Sequence, residues 1–200
     1  MKTKILSIAL LFAVIAGFSK STYAATVDAD YTLLKEIKAV NKIEVRGNVE
    51  LFISDSPVEQ VKVYNKYYSE NALVQYNNGT LRITSYNNEK LIVWVSTDDL
   101  RAVSVYDNAE IKSFGKLSKI EFDVDLHDNA SANLNLDAYS ANVKLNDSAK
   151  AELSGTAVEF GLTTNTHTTV VKSDFKAEHL VNNKINIITA VKADELTILE

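Results

Sequence analysis

Apolar and polar residues alternate with period two along much of the chain, as in residues 42–46, 49–53 and 61–64. Because successive side chains of a β-strand point to opposite faces, this alternation predicts strands that bury one face and expose the other. Only residues 31–39 have a pattern that also fits a short helix. We therefore expect an all-β fold.

Two turn signals lie in the first half of the chain. Asn78-Gly79 separates two alternating segments, and because both residues tolerate positive φ, this pair predicts a β-hairpin. Asp55-Ser56-Pro57 predicts a second turn, since proline presets φ and the Asp and Ser side chains can bond the nearby backbone. The N-terminal part is therefore expected to be rich in strands and hairpins.

From about residue 102, a strand followed by a short Asp-containing turn recurs. The turns are Asp107-Asn108-Ala109, Asp128-Asn129-Ala130 and Asp147-Ser148-Ala149. Aligning Val105, Leu126, Leu145, Leu162 and Leu180 gives steps of 21, 19, 17 and 18 residues. Stacked units of this length are typical of a parallel β-solenoid. An antiparallel sandwich is the alternative architecture, and it explains the Asn78-Gly79 hairpin better than the recurring turns.

In a stacked arrangement, equivalent residues of successive units lie beside one another. Asp107, Asp128 and Asp147 are then expected to form one column, with carboxylates about 5 Å apart that repel. Either each Asp accepts hydrogen bonds from the N–H groups of its own turn, or the column binds a cation such as Ca²⁺. The same register places Asp125 beside Lys144 and Asp123 beside Asn142.

The first residues have the pattern of an export signal. Lys2 and Lys4 precede an apolar run over residues 5–18, and small residues follow as far as Ala24. This succession predicts a secretory signal peptide over residues 1–24, since the apolar run is shorter than the span of about 20 residues that a membrane helix needs. Residues 25–200 are expected to form a single exported domain in the periplasm, on the outer cell surface or secreted.

Composition narrows the classes of partner. Three of the 21 Lys and Arg residues lie within residues 1–24, so the remaining 18 face 26 Asp and Glu residues, a net charge of −8. An acidic surface argues against nucleic acid and anionic membranes as partners. Cysteine is absent, which excludes disulfides and thiolate metal sites. After residue 24, no apolar segment is long enough for a transmembrane helix.

Candidate catalytic chemistry is sparse, and we expect no catalytic residue, metal site or cofactor. The histidines are His127, His167 and His179, and neither a Gly-x-Ser-x-Gly elbow nor a zinc-ligand spacing accompanies them. Asp123 and Asp125 form the sharpest enzymatic hypothesis. They share one strand face at about 6.5–7 Å, close to the carboxylate separation of inverting glycosidases. The alternation around them instead favours an ordinary exposed strand face.

Binding chemistry has more support. Aromatic residues are concentrated in the first half, namely Tyr64, Tyr67, Tyr68, Tyr76, Tyr86 and Trp94. Exposed aromatic side chains stack on sugars or form protein interfaces, whereas buried ones would fill the sheet and cap its open end. The threonine-rich stretch 163–169 is a second candidate for an adhesive face, or else an external threonine ladder.

The order of these patterns resembles a known family. The opening pattern consists of Ile37, Val40, Ile43, Val45, Gly47, Val49, Leu51 and Ile53. With the Asn78-Gly79 turn, Leu81-Arg82-Ile83 and the serial strand-and-turn units, it resembles the putative auto-transporter adhesin "head GIN domain" proteins of Gram-negative bacteria over about residues 36–190. Here Asp-Asn-Ala and Asp-Ser-Ala replace that family's small Ser-Gly-Ala-like turns.

The resemblance implies a right-handed parallel β-helix, an exported location and adhesion. We therefore expect a non-catalytic exported binding or adhesion-type protein of the Gram-negative cell envelope. Its partner would be an unknown envelope protein or glycan. Two alternatives remain open: a carbohydrate-active enzyme that uses Asp123 and Asp125, and a purely structural envelope component.

Overall fold

A computed structural model describes residues 31–34, 37–64, 72–165 and 167–184 of the chain. These residues form thirteen strands. The strands are β1 Thr32–Leu34, β2 Lys42–Gly47, β3 Val49–Ser54, β4 Gln60–Val63, β5 Ala72–Asn77, β6 Thr80–Ser85, β7 Leu91–Ser96, β8 Ala102–Val105, β9 Glu110–Ser113, β10 Leu117–Leu126, β11 Ser131–Leu145, β12 Lys150–Thr164 and β13 Thr169–Lys184. The expectation of an all-β fold is thus confirmed. The possible helix over residues 31–39 is wrong in its described part, because Thr32–Leu34 is a strand.

The described strands all belong to one sheet. Its order is β1-β4-β7-β3-β9-β11-β10-β8-β2-β6-β5, with β12 paired to β11 and β13 paired to β12. β1 and β4 pair antiparallel, as do β4 and β7, and β5 and β6. The other described pairs are parallel. The result is a curled, mixed sheet with the form of a half-barrel.

This topology corrects the predicted right-handed parallel β-helix, or β-solenoid. Asn78-Gly79 forms the predicted tight hairpin, which turns β6 back against β5. β4 likewise runs antiparallel to β7. Because a chain that reverses in this way does not wind in one sense, the first half is not a set of successive coils. The antiparallel sandwich is also wrong, since the strands form one sheet and most neighbours are parallel.

The parallel register of the second half is close to the predicted alignment. β8 and β10 pair at an offset of 21 residues, and β10 pairs with β11 at 19. The first two steps are confirmed, whereas the last two are wrong by two residues. The observed pairs are Val105–Leu126, Leu126–Leu145, Val143–Leu162 and Phe160–Leu180. An irregularity between Leu153 and Gly155 shifts the β12–β13 register.

The core lies against one face of the curled sheet, where the apolar residues of the alternating pattern meet. Val45, Val105, Leu126 and Leu145 stack in neighbouring strands and are each at most 1% exposed. Burying one such side chain contributes about 1.5–3 kcal/mol. Since the core takes one face, the residues between these positions project outward from the opposite face. In the described part of the chain, no helix has the length and hydrophobicity needed to cross a membrane.

Candidate binding surface on the outer face of the sheet

The outer face of β4, β7, β3 and β9 brings aromatic residues together from distant parts of the chain. Lys62, Trp94, Phe52 and Lys112 are paired in that order across these four adjacent strands. Their neighbours in each strand are fully or almost fully buried, as Val93 and Leu51 show. Because side chains alternate along a strand, the four paired residues lie on the outer face.

The aromatic side chains on this face contact one another, and we call the set Tyr31, Phe52, Tyr64, Trp94 and Phe114 the aromatic strip. The Phe52 and Trp94 rings are stacked, with centroids 5.6 Å apart and planes 21° apart. Phe114, directly after β9, lies 4.6 Å from Trp94 at a tilt of 57°. Tyr31 and Tyr64 form a second pair at 5.3 Å. Such aromatic pairs typically contribute about 0.5–1.5 kcal/mol beyond their burial.

The strip remains accessible to solvent. Phe114 is 62% exposed and Tyr64 is 38% exposed, and Ile92 beside them is 37% exposed. Single exposed apolar residues are ordinary, whereas a contiguous group marks an interaction surface. The strip is therefore the strongest candidate binding surface in the described part of the chain.

The charged groups beside the strip are paired with one another. Lys112 Nζ lies 2.7 Å from Glu50 Oε1 and 3.0 Å from Glu110 Oε1, and Lys90 Nζ lies 3.4 Å from Glu110 Oε2. Hydrogen bonds to Glu50 and Glu110 raise the pKa of Lys112. Burial alone would raise the pKa of Glu110, but the bonds from Lys112 and Lys90 outweigh it, and this pKa lies below its usual value. These contacts keep both signs of charge ionised and compensated next to the rings.

Hydroxyl groups border the centre of the strip. Trp94 Nε1–H donates a hydrogen bond to Ser54 Oγ at 3.2 Å, and Ser54 Oγ lies 2.9 Å from Ser96 Oγ. The indole is thus held in one orientation by a neighbouring hydroxyl. Lys112 Nζ also lies 5.9 Å from the centroid of the Phe52 ring. The strip therefore combines apolar ring surface with neutral hydrogen-bonding groups.

The structure places Asp123 and Asp125 elsewhere, on the outer face of β10. The predicted neighbours are confirmed, since Asp123 pairs with Asn142 and Asp125 with Lys144. Asp123 accepts a hydrogen bond from Asn142 Nδ2 at 3.0 Å. Asp125 accepts one from Asn146 Nδ2 at 2.9 Å and lies 3.1 Å from His127 Nε2. Both carboxylates are engaged with exposed side chains, which is the surface role that the alternation indicates.

Asp107, Asp128 and Asp147 do lie in one column, but their hydrogen bonds differ from the prediction. Asp128 Oδ2 accepts from the Asp107 N–H at 3.0 Å, and Asp147 Oδ2 accepts from the Asp128 N–H at 3.1 Å. Asp107 Oδ2 accepts from the N–H of Gly47 in β2 at 3.0 Å. Each carboxylate therefore bonds the neighbouring turn and not its own, so the column is held by bonds between turns.

The corner of each turn also differs from the prediction. The three Asp residues have positive φ, between 56° and 61°, and they rather than the following Asn108, Asn129 and Ser148 occupy the left-handed position. Asp tolerates this region better than most non-glycine residues. Among the described residues, no group of three or more His, Asp or Glu side chains is arranged to hold a metal ion.

The histidines and the threonine stretch lie apart from the strip. The His127 ring stacks on Tyr106 at 4.7 Å, and the Arg46 guanidinium lies 3.7 Å from the centroid of that Tyr106 ring. His167 N–H donates to Asn165 Oδ1, and His179 in β13 pairs with Glu159. In the threonine stretch, Thr163 and Thr164 end β12, Thr169 begins β13, and Thr166 lies outside the described residues.

Sequence reasoning found part of the strip. Of the predicted aromatic residues, Tyr64 and Trp94 belong to it, and Tyr67 and Tyr68 lie outside the described residues. Tyr76 bonds the Lys38 carbonyl oxygen, and the 71% exposed Tyr86 bonds Asp107. The sequence analysis missed Tyr31, Phe52 and Phe114. Phe52 had a usable signal, because in Leu51-Phe52-Ile53 it takes the outward position between two inward aliphatic residues.

The fold and the strip define an all-β protein with an exposed aromatic surface. Residues 39–194 match the family described as "Putative auto-transporter adhesin, head GIN domain", and the chain belongs to this family. The resemblance noted from the sequence is thereby confirmed. No curated protein matches the chain by sequence.

Solved structures share the fold at low sequence identity. A putative adhesin from Bacteroides fragilis NCTC 9343 is 14% identical with a TM-score of 0.69, over 78% of this chain and 77% of that chain. A putative adhesin from Parabacteroides distasonis ATCC 8503 is 18% identical with a TM-score of 0.58, over 80% of each chain. A putative lipid binding protein from the same strain is 13% identical with a TM-score of 0.56, over 78% of each chain. The names of these proteins refer to adhesion or lipid binding and not to catalysis.

Proposed function

We propose that the chain is a non-catalytic, adhesion-type binding protein of the Gram-negative cell envelope, and that the aromatic strip is its binding surface. The observation that carries the proposal is the contact between Phe52, Trp94 and Phe114 on the solvent side of a sheet whose other side is the core. Folding alone does not explain why large aromatic side chains face solvent together, because they bury less apolar surface there than in the core. Membership of an adhesin family agrees with this role.

Export follows from the signal-peptide pattern of residues 1–24, which lie outside the described residues. The partner would be an envelope protein or a glycan, reached in the periplasm, at the outer surface or outside the cell. The acidic balance of the remaining chain disfavours nucleic acid as a partner.

The two alternatives have less support. Asp123 and Asp125 are already engaged by Asn142, Asn146 and His127 on an open strand face, so an enzymatic role has no geometry in its favour. A purely structural component would have no use for an exposed aromatic surface. If the enzyme hypothesis were right, replacing Asp123 and Asp125 by Asn would abolish turnover of a polysaccharide.

A binding assay on envelope material tests the proposal. The purified protein, carrying a fluorescent label, is titrated with outer-membrane fragments from a Gram-negative host. We expect Phe114→Ala combined with Trp94→Ala to weaken binding at least about tenfold, equivalent to about 1.4 kcal/mol. Tyr139→Ala is the matched control, because Tyr139 is 60% exposed, as Phe114 is 62% exposed, but lies on β11. Unchanged binding by the folded double variant, checked by circular dichroism, contradicts the proposal.

A further inference from the structure

We propose that the aromatic strip binds an uncharged glycan chain laid across β4, β7, β3 and β9. This inference rests on the proposed function and adds the chemical class of the ligand. It follows from the size of the strip, its charge balance and the groups that border its rings.

The size of the strip suits a linear ligand. Neighbouring strands lie about 4.8 Å apart, so the row from Lys62 through Trp94 and Phe52 to Lys112 spans about 14 Å. Along the strands, the strip covers three outward positions, from Ile92 to Ser96 on β7, or about 14 Å. The resulting area is about 200 Å², whereas a stable protein partner typically covers about 800 Å² on each side. A short oligosaccharide segment needs no more than this area.

The charge balance of the strip disfavours a charged ligand. The carboxylates Glu50 and Glu110 already contact the ammonium groups of Lys112 and Lys90. The remaining cation in the row, Lys62, lies 5.1 Å from the centroid of the Tyr31 ring. A phosphate or uronate would have to displace one of these carboxylates from its lysine, and that exchange gives little net gain. An uncharged ligand leaves every pair intact.

The chemistry at the centre of the strip favours a sugar over a hydrocarbon chain. A pyranose has an apolar C–H face that packs on an aromatic ring and a rim of hydroxyl groups. Beside the Trp94 and Phe114 rings, the hydroxyls of Ser54 and Ser96 retain unused donor and acceptor capacity, because each hydroxyl has one donor and two acceptor positions. A lipid tail would cover these hydroxyls without bonding them, which costs free energy. The rim of a sugar satisfies them.

Trp94 makes the test direct, because it is the only tryptophan of the chain. Its fluorescence therefore reports on the strip alone. The purified protein is titrated with the neutral hexasaccharides of the cello-, laminari-, malto-, manno- and chito- series, with oligogalacturonate and with phosphatidylcholine vesicles. We expect at least one neutral hexasaccharide to shift the Trp94 emission saturably, and the shift to be the same in 50 mM and 500 mM NaCl. Phe114→Ala should weaken that binding at least tenfold, and Tyr139→Ala should leave it unchanged.

The outcomes separate the ligand class from the binding surface. If no neutral sugar shifts the emission, while Phe114→Ala still weakens binding to envelope fragments, the glycan inference is wrong and the proposed function stands. A saturable shift with oligogalacturonate or with vesicles alone also overturns the inference, in favour of an acidic glycan or a lipid. If neither the sugars nor the envelope fragments respond to Phe114→Ala, both proposals fail together.

Discussion

Single aspartate residues set the geometry of the recurring turns. Asp107, Asp128 and Asp147 have positive φ, and Asp107 and Asp128 each donate their backbone N–H to the carboxylate of the next Asp. Two properties of one residue type are used at once, namely tolerance of left-handed backbone and a short acceptor side chain. The carboxylates do not need a cation to lie in one column, because backbone donors face them. Sequence spacing predicted the column, but it did not predict which N–H groups the carboxylates bond.

Asp128 provides a test of these two properties. Asp128→Ala removes the acceptor for the Asp107 N–H and places a Cβ-bearing residue without a polar side chain at φ 57°. We expect it to lower the free energy of unfolding by about 1–2 kcal/mol, whereas Asp128→Asn should cost clearly less, because Asn retains both properties. Urea unfolding measures the difference, with Asp123→Ala on the exposed face of β10 as control. Equal losses for Asn and Ala would show that the turn depends on the negative charge.

Glu44 makes one part of the stability depend on pH. Hydrogen bonds from Arg82 at 2.8 Å and then Lys42 at 3.0 Å hold the pKa of the Glu44 carboxyl below its usual value. A carboxylate with a lowered folded-state pKa stabilises the fold above its unfolded pKa of about 4.3, and this contribution is lost as the pH falls through the folded pKa. Glu44→Gln should therefore flatten the pH dependence of unfolding below about pH 4.5. Since Arg82 is half exposed, the effect should be under about 1 kcal/mol.

At pH 7 the same variant should differ from the unmodified protein by no more than this amount. Thermal or urea unfolding across pH 3–7 provides the measurement. A Glu44→Gln variant whose pH profile keeps its full slope would show that Arg82 and Lys42 do not shift this carboxyl in solution.

At the scale of elements, β10 departs from the simple alternation. Lys119 pairs with Ala138 of β11, and its side chain points to the core side, only 4% exposed. Its ammonium forms an ion pair with Asp55 and donates to the Asp98 carbonyl oxygen at 2.8 Å. Asp55, from the turn after β3, also accepts the Ser118 N–H at 2.5 Å. The predicted turn at Asp55-Ser56-Pro57 thus has a tertiary role that its local sequence does not reveal.

Removing one partner of this ion pair should be costly. Asp55→Ala leaves the Lys119 ammonium buried with only a carbonyl partner, and we expect a loss of about 2–4 kcal/mol in the free energy of unfolding. Lys119→Met in the Asp55→Ala background should recover a large part of it, because no buried charge remains. A double-mutant cycle by urea unfolding measures the coupling. Additive losses in the double variant would show that the two side chains do not interact.

At the scale of the whole molecule, the proposed export gives a direct check. The charged start, the short apolar run and the small residues before Ala25 predict cleavage after Ala24. Mass spectrometry of the protein recovered from the periplasm or medium of its native host should therefore show a mature N-terminus at Ala25. Recovery of the chain from those fractions with Met1 intact would contradict this expectation.

Much of this protein was determined by its sequence alone. Period-two alternation specifies strands and their buried face, because strand geometry has that period whatever the surrounding structure. The Asn78-Gly79 hairpin and the first two alignment steps, Val105–Leu126 and Leu126–Leu145, follow from local turn chemistry in the same way. Family membership was likewise recognisable from the order of the patterns.

The tertiary structure alone decided the sheet order and the binding surface. Whether β4 runs parallel or antiparallel to β7 depends on how distant segments pack, and no local pattern carries that information. For the same reason, the alignment failed after Leu145, where no Asp turn marks the register and Leu162 pairs with Val143. The contacts of Trp94 with Phe52 and Phe114 join residues far apart in sequence. They exist because β7, β3 and β9 are neighbours in the sheet, so only the tertiary structure could reveal the strip.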